Sequence, residues 1–423
     1  MSTARGTTRR PRLVHLTTTD ISLELLLGPQ LEAFDRAGYE VIGVSAPGGF
    51  VPAIEARGIR HVPLAHATRA MAPHHDLLAV AELHRLFRRL RPTIVHTHNP
   101  KPGLYGRLAA RAAGVPVVVN TVHGLYAQPD DRLAKRAVVY GLERLASTCS
   151  DAELVQNPED LRTLRRVLRE PRSKLTLLGN GVDLARFGRG GAAGDRPVTA
   201  DGSASGDGSV PGDAAAVRSR LRAEWGATDD SVVVGAVGRL VLEKGYAELL
   251  EAWEVVRSRR PDALLVVAGP DEPDKADAVP AELVERAAAG GVRFLGMRDD
   301  VEDVYLGLDV YVLASHREGF PRSAMEAAAS GLPIVATDIR GCRQVVDDGV
   351  TGLLVPVRSA EALAAAIGDL VGDPARRSRL SEAAAARART HFDQADVIGT
   401  TLDCYARLLT AAGVPLPTGS TSR

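Results

Sequence analysis

The chain has 423 residues, with 45% hydrophobic and 25% charged, which suits a globular protein of two or three domains. Its formal net charge is zero, which excludes the global positive field of a nucleic-acid binder, and no nucleic-acid partner is expected. No run approaches the roughly 18 uninterrupted apolar residues that span a bilayer, and Cys149, Cys342 and Cys404 lack metal-ligand spacing.

The basic start MSTARGTTRRPR leads, with no apolar signal-peptide core, into a first strand at Leu13–Leu16. Reduced thiols and a cytoplasmic location are therefore expected. The strand runs on into LTTTDISLELLLGPQL, which leaves Thr18, Thr19 and Asp20 at its carboxyl end, before a helix over Leu23–Ala37. Strands follow at Val41–Ser45 and His61–Leu64, then a helix at Leu77–Leu90 and a strand at Thr93–His96. HTHNPKPG closes that strand with His96, His98, Asn99 and Lys101. The next strand, Val117–Val122, ends at His123. A histidine there can bond a ligand hydroxyl or merely satisfy the core, and the position alone permits both readings. These histidines have no carboxylate or cysteine at ligand spacing, so no metal is assigned to them. A helix at Leu133–Ala146 and strands at Ala152–Val155 and Leu175–Leu178 complete the first half.

Basic helical stretches recur here, LHRLFRRLRP and LRTLRRVLREPRSK. Their arginines suit either anionic lipid headgroups at the inner face of a cell membrane or plain solvent. Only five of the 52 basic residues are lysines, so arginine-rich faces are the background of this chain.

Residues 188–216 are rich in Gly, Ser, Asp and Pro and nearly free of large apolar side chains, the composition of a flexible linker. Strands then recur at Val232–Val237, Leu264–Ala268, Val292–Leu295, Val310–Leu313, Ile334–Ala336 and Leu353–Val355. Alternation of strand and helix implies parallel sheets with right-handed crossovers. The expected organisation is an N-terminal lobe over 1–187, a linker over 188–216 and a second lobe over 217–393. A last helix over 394–412 follows all the strands and can return to the first lobe. Two Rossmann-like lobes would face a central cleft.

Two segments of the second half carry chemistry. Val232–Val237 leads into GRLVLEKGY, where Gly238 is followed at once by Arg239 and five residues later by Lys244. A planar fork and a point charge in one strand-to-helix loop can meet one phosphate group and offset charge on a departing diphosphate. EGFPRSAME follows the strand Val310–Leu313. Glu318 falls beyond the strand's carboxyl end, where open α/β sheets bind ligands, and Glu326 falls within the first turns of the next helix. Gly319-Phe320-Pro321 between them lets backbone approach a ligand at a helix N-terminus that favours anions. Hydroxyls at two places with phosphate between them describe a nucleotide sugar.

Arg239 and Lys244 in GRLVLEKG, Glu318 and Glu326 in an E-x7-E block, GNGVD, and ASGLPIVATDIRGCRQVVDDGVTGLLV together resemble a retaining glycosyltransferase of family 4 with the GT-B fold. HTHNPKPGLYGRLAARAAGVPVVVNTVHGLYA is similar to members that build bacterial surface polysaccharides. The resemblance implies that Glu326 holds the nucleotide ribose, and that Gly238, Arg239 and Lys244 hold the diphosphate. Glu318, with the amides of Gly319 and Phe320, holds the donor sugar, which His123 contacts from the first lobe. His123, Arg239, Lys244 and Glu318 are then the catalytic set. Thr18, Thr19, Asp20, His98, Asn99 and Lys101 are candidates for the acceptor side. Pro321 departs from the pattern by lacking an amide hydrogen, and Gln344 stands where many relatives have glutamate.

The expected activity is metal-independent hexosyl transfer, with retention, from a UDP- or GDP-sugar to a hydroxyl of a sugar or lipid-linked acceptor. No cofactor is called for. By resemblance the mechanism is front-face substitution, in which the leaving phosphate takes the acceptor proton. Rival readings are a nucleotide-sugar epimerase or phosphorylase on the same fold, and a non-catalytic nucleotide-sugar-binding protein.

Overall fold

The computed structural model describes residues 10–66, 73–98, 101–127, 131–188, 214–228, 230–273 and 275–417. Two units emerge: one from the chain up to Gly179 together with the segment from Asp396, the other from Asn180 to Ala395. The expected linker lies mostly outside the described residues, and its last three positions open the helix Ala214–Trp225.

The first unit is built on seven parallel strands: β1 (Arg12–Thr19), β2 (Glu40–Ala46), β3 (Arg60–Pro63), β4 (Ile94–His98), β5 (Val117–Val122), β6 (Ala152–Val155) and β7 (Leu175–Leu177). Their order is β3-β2-β1-β4-β5-β6-β7. Parallel strands buried on both faces read as continuous apolar runs, and VVVNTV of β5 is buried at every position. Leu13, Phe34, Val41, Ile94 and Val117 pack on one side, and Val14, Leu16, Val44, Val95 and Tyr105 on the other. The helix Gln394–Ala411 belongs to the first side. Its buried Val397, Thr401, Cys404, Tyr405 and Leu409 form one helical face, and Tyr405 meets Phe34 and Tyr39 edge-on.

The helix expected over Leu23–Ala37 is divided. A π-helical turn, Ser22–Leu27, precedes the α-helix Gly28–Arg36. Pro29 at the start of that helix has no amide to give the preceding turn, and its ring crowds the carbonyl four residues back.

The second unit has six parallel strands: β8 (Val233–Val237), β9 (Leu264–Ala268), β10 (Arg293–Phe294), β11 (Val310–Leu313), β12 (Ile334–Thr337) and β13 (Gly352–Val355). Their order is β10-β9-β8-β11-β12-β13. In each sheet the order reverses once, between β1 and β4 and between β8 and β11. Helices leave to opposite faces at such a reversal, which opens a crevice beyond the carboxyl ends of the two strands.

Candidate functional site

The reversal in the second sheet is where the charged residues collect. Beyond β8 come Gly238 and Arg239, a short 3-10 turn Leu242–Lys244, and the helix Tyr246–Arg259. Gly245 joins turn to helix at φ +72°, and a side chain there would drive into the Ala314 carbonyl just past β11. The loop after β8 is thereby held against the end of β11. Lys244 Nζ then lies 2.5 Å from Glu318 Oε1, and Ser315 Oγ donates to the same oxygen over 2.9 Å. Gly341 backs this point, since a Cβ there would sit 2.6 Å from the Glu318 carbonyl.

Arg239 and Lys244 do not share a partner. Arg239 forms its ion pair with Glu272, at 2.7 Å, and Lys275 pairs with the same carboxylate. Burial raises the Glu272 carboxyl, but hydrogen bonds from Lys275 and Arg239 outweigh it and hold the pKa below the usual value. Glu272 and Lys275 follow β9, the strand beside β8.

Glu326 lies on the helix Arg322–Ala329, which starts after Pro321 without a side-chain cap. Arg322 Nε donates to Glu326 Oε1 over 2.9 Å, and the Tyr305 hydroxyl donates to Oε2 over 3.0 Å. The Tyr311 hydroxyl donates to Ser323 Oγ over 2.7 Å, which ties this helix to β11. Asn180 of the GNGVD segment reaches the Phe320 carbonyl at 3.4 Å. Tyr305, Ser315, Glu272, Lys275 and Asn180 thus join the residues singled out in the sequence. Tyr305 and Glu272 come from neighbouring elements, and no local spacing could have announced them.

At the reversal of the first sheet, Thr18 and Thr19 are half-buried, and Thr19 Oγ1 lies 3.3 Å from Ser22 Oγ. Asp20 is buried and accepts from the Phe50 amide over 2.8 Å, so its carboxylate braces a loop. Lys101 opens the helix Lys101–Ala112, and Asn99 lies outside the described residues. Both ring nitrogens of His123 are engaged within this unit, Nε2 with His98 Nδ1 at 2.9 Å and Nδ1 with Gln156 Oε1 at 3.1 Å. The cause is register: β4 and β5 set His98 beside Thr121, and His123 falls two residues further on the same face.

Two family models together cover most of the chain, "Glycosyltransferase Family 4" over residues 30–186 and "Glycosyl transferases group 1" over 217–387. A D-inositol 3-phosphate glycosyltransferase of Xylanimonas cellulosilytica is 32% identical over 326 residues, 74% of this chain and 72% of that one. The chain belongs to glycosyltransferase family 4. An Escherichia coli UDP-Gal:alpha-D-GlcNAc-diphosphoundecaprenol alpha-1,3-galactosyltransferase is 28% identical over 289 residues, 68% of each chain. The capsular polysaccharide biosynthesis glycosyltransferase CapM of Staphylococcus aureus is 25% identical over 392 residues, 91% of this chain and 94% of that one. The crystal structure of Anabaena HepE in complex with UDP and glucose superposes with a TM-score of 0.74 at 19% identity, over 94% of this chain and 100% of that one. This family 4 glycosyltransferase therefore has the GT-B fold, and it is similar to enzymes of bacterial surface polysaccharides. Among its described residues no helix is long and apolar enough to cross a membrane.

Proposed function

We propose that this glycosyltransferase moves a hexosyl group, with retention, from a UDP- or GDP-sugar to a hydroxyl of a sugar or lipid-linked acceptor in surface polysaccharide assembly. The observation that carries the reading is the Lys244–Glu318 ion pair at the reversal between β8 and β11, with Arg239 just past β8 and Glu326 on the helix that follows β11. Glu326, oriented by Tyr305 and Arg322, takes the ribose hydroxyls. Lys244 and Arg239 take the diphosphate, exchanging their carboxylate partners for phosphate oxygens. Glu318, released from Lys244, and the Gly319 and Phe320 amides take the sugar. As the glycosidic bond breaks, charge grows on the departing diphosphate, where a fixed cation stabilises the transition state more than the ground state. The acceptor proton passes to that phosphate oxygen. No metal is assigned a role, and the N-terminal unit takes the acceptor.

HepE, solved with UDP, and the galactosyltransferase, named for a UDP-sugar and an undecaprenol diphosphate, support a nucleotide-sugar donor and a lipid-linked acceptor. CapM supports the assignment to polysaccharide assembly. Peripheral contact with an anionic membrane from the cytoplasmic side belongs to the same reading. Beyond the basic stretches, the helix Leu133–Ser147 exposes Leu133, Val138, Leu142 and Leu145 beside Lys135 and Arg144.

The deciding experiment screens UDP- and GDP-sugars for thermal stabilisation, then measures nucleoside diphosphate release with and without acceptor lipid. Acceptor-dependent release is expected. Turnover of donor without acceptor would favour an epimerase or phosphorylase, and stabilisation without any turnover a binding protein.

A further inference from the structure

Three buried histidines of the N-terminal unit, which the donor reading leaves without a role, join His123 in one network. His15 lies on β1, His96 and His98 on β4, and His123 just past β5. Strand register aligns His15 with His96 and His98 with Thr121, so all four rings share one sheet face. His15 Nδ1 lies 3.1 Å from His98 Nε2 with ring centroids 5.3 Å apart, and His98 Nδ1 lies 2.9 Å from His123 Nε2 with centroids 5.2 Å apart. Those separations are of rings joined end to end. His123 Nδ1 continues to Gln156 Oε1. At the other end the Tyr405 hydroxyl lies 3.4 Å from His15 Nε2 and 2.5 Å from His96 Nδ1, and His96 Nε2 lies 2.7 Å from Thr121 Oγ1.

Burial keeps the rings uncharged: it pulls His15 down to about 3 and His123 to about 4, and His96 and His98 well below their ordinary value. A neutral imidazole has one donor and one acceptor nitrogen. One proton order then satisfies every partner. His123 donates from Nδ1 to the Gln156 oxygen and accepts from His98 Nδ1. His98 accepts from His15 Nδ1, and His15 accepts from the Tyr405 hydroxyl. Tyr405 accepts from His96 Nδ1, and His96 accepts from Thr121.

The nitrogens of His15, His96 and His98 also lie within 4.8 Å of one another, close enough to consider a metal ion. The orientations oppose it. The lone pairs run along the chain to neighbouring donors, and His96 and His98 stack at 19° with centroids 4.6 Å apart, so their planes do not converge on one ion.

We propose that His98, His15 and Tyr405 are positioning residues, fixing His123 as its Nδ1–H tautomer at the carboxyl end of β5 and tying that end of the sheet to the C-terminal helix. The inference rests on the reading of these strand ends as the substrate side. The tautomer half of its test needs no substrate, so its failure is distinguishable from failure of that reading.

Nitrogen-15 NMR of the full chain with labelled histidine reads the protonated nitrogen of each ring. Wild type is expected to show His123 as Nδ1–H. His98→Leu should move His123 to Nε2–H or a mixture, and His98→Asn, whose amide can donate from the place of Nδ1, should restore it. With the sugar nucleotide that wild type turns over, His98→Leu should lower kcat about tenfold or more, the scale of a lost buried hydrogen bond. His98→Asn should recover most of that loss, with UDP affinity unchanged in both. Should His98→Leu not fold, Tyr405→Phe, which keeps the ring and drops only the hydroxyl, should shift the His15 signals and lower kcat in the same sense. Nε2–H at His123 in wild type, stoichiometric zinc binding by the rings, or normal kcat in a folded His98→Leu or Tyr405→Phe variant would overturn the proposal.

Discussion

Lys244 Nζ lies 2.5 Å from Glu318 Oε1, which joins the loop after β8 to the loop after β11 across the point where strand order reverses. Each group is mostly shielded from water, so the pair is more than a screened surface contact. On the proposed reading, a diphosphate arriving here would take the cation and free the carboxylate, which would couple phosphate binding to sugar binding through one ion pair.

Lys244→Ala and Arg239→Ala should each cut turnover far more than they disturb folding. Losing one placed charge donor raises a barrier by about 2.7–4 kcal/mol, on the order of a hundred- to thousandfold in rate. Steady-state transfer by the purified variants, beside their melting temperatures, checks this. Near-normal turnover in both would remove the diphosphate assignment. EDTA should leave wild-type activity intact if, as proposed, these cations serve where a metal otherwise would.

Glu272→Gln should tighten UDP or GDP binding several-fold. Glu272 holds both Arg239 and Lys275 and competes with phosphate for them. Isothermal calorimetry would show it, and weaker binding would mean that Glu272 orients Arg239 toward the ligand rather than away from it.

Stability should depend steeply on pH below neutrality. The four histidines of the network, His15, His96 and His98 buried and His123 half-buried, have native pKa values lowered by desolvation, to about 3 for His15 and about 4 for His123, against about 6.5 in an unfolded chain. Between these limits unfolding takes up protons. The stabilisation is therefore complete above about pH 6.5 and is lost as pH falls toward the native values. The urea midpoint should be nearly flat from pH 7 to 8 and drop sharply toward pH 5. An unchanged midpoint at pH 5 would contradict the neutral chain.

Much of this fold was legible because its strands are short, apolar and β-branched, with amphipathic helices between them. β5, β6, β9 and β11 fall where the apolar runs lie. The helix over Leu23–Ala37 has the right period, yet Pro29 divides it, a local backbone effect that periodicity ignores. Arg239, Lys244, Glu318 and Glu326 stand out as charges in loops after strands. Which of them meet depends on strand order, which spacing does not contain, so the partnership of Arg239 with Glu272 and of Glu326 with Tyr305 was invisible. The histidines show the same limit. HTH and VNTVH each place polar groups at strand ends, but only the pairing of β1 with β4 brings His15 to His98.

The measurement closest to the central claim is UDP or GDP calorimetry on Glu326→Gln and Glu318→Gln, beside single-turnover transfer. Glu326→Gln removes the charge proposed to accept ribose hydroxyls, so it should weaken both the free diphosphate and the intact nucleotide sugar. Glu318→Gln should keep diphosphate affinity or raise it, because Lys244 loses its competing carboxylate, while transfer falls as the sugar is no longer positioned. Loss of diphosphate affinity in Glu318→Gln with none in Glu326→Gln would reverse the two roles and contradict the placement of the donor at the β8–β11 reversal.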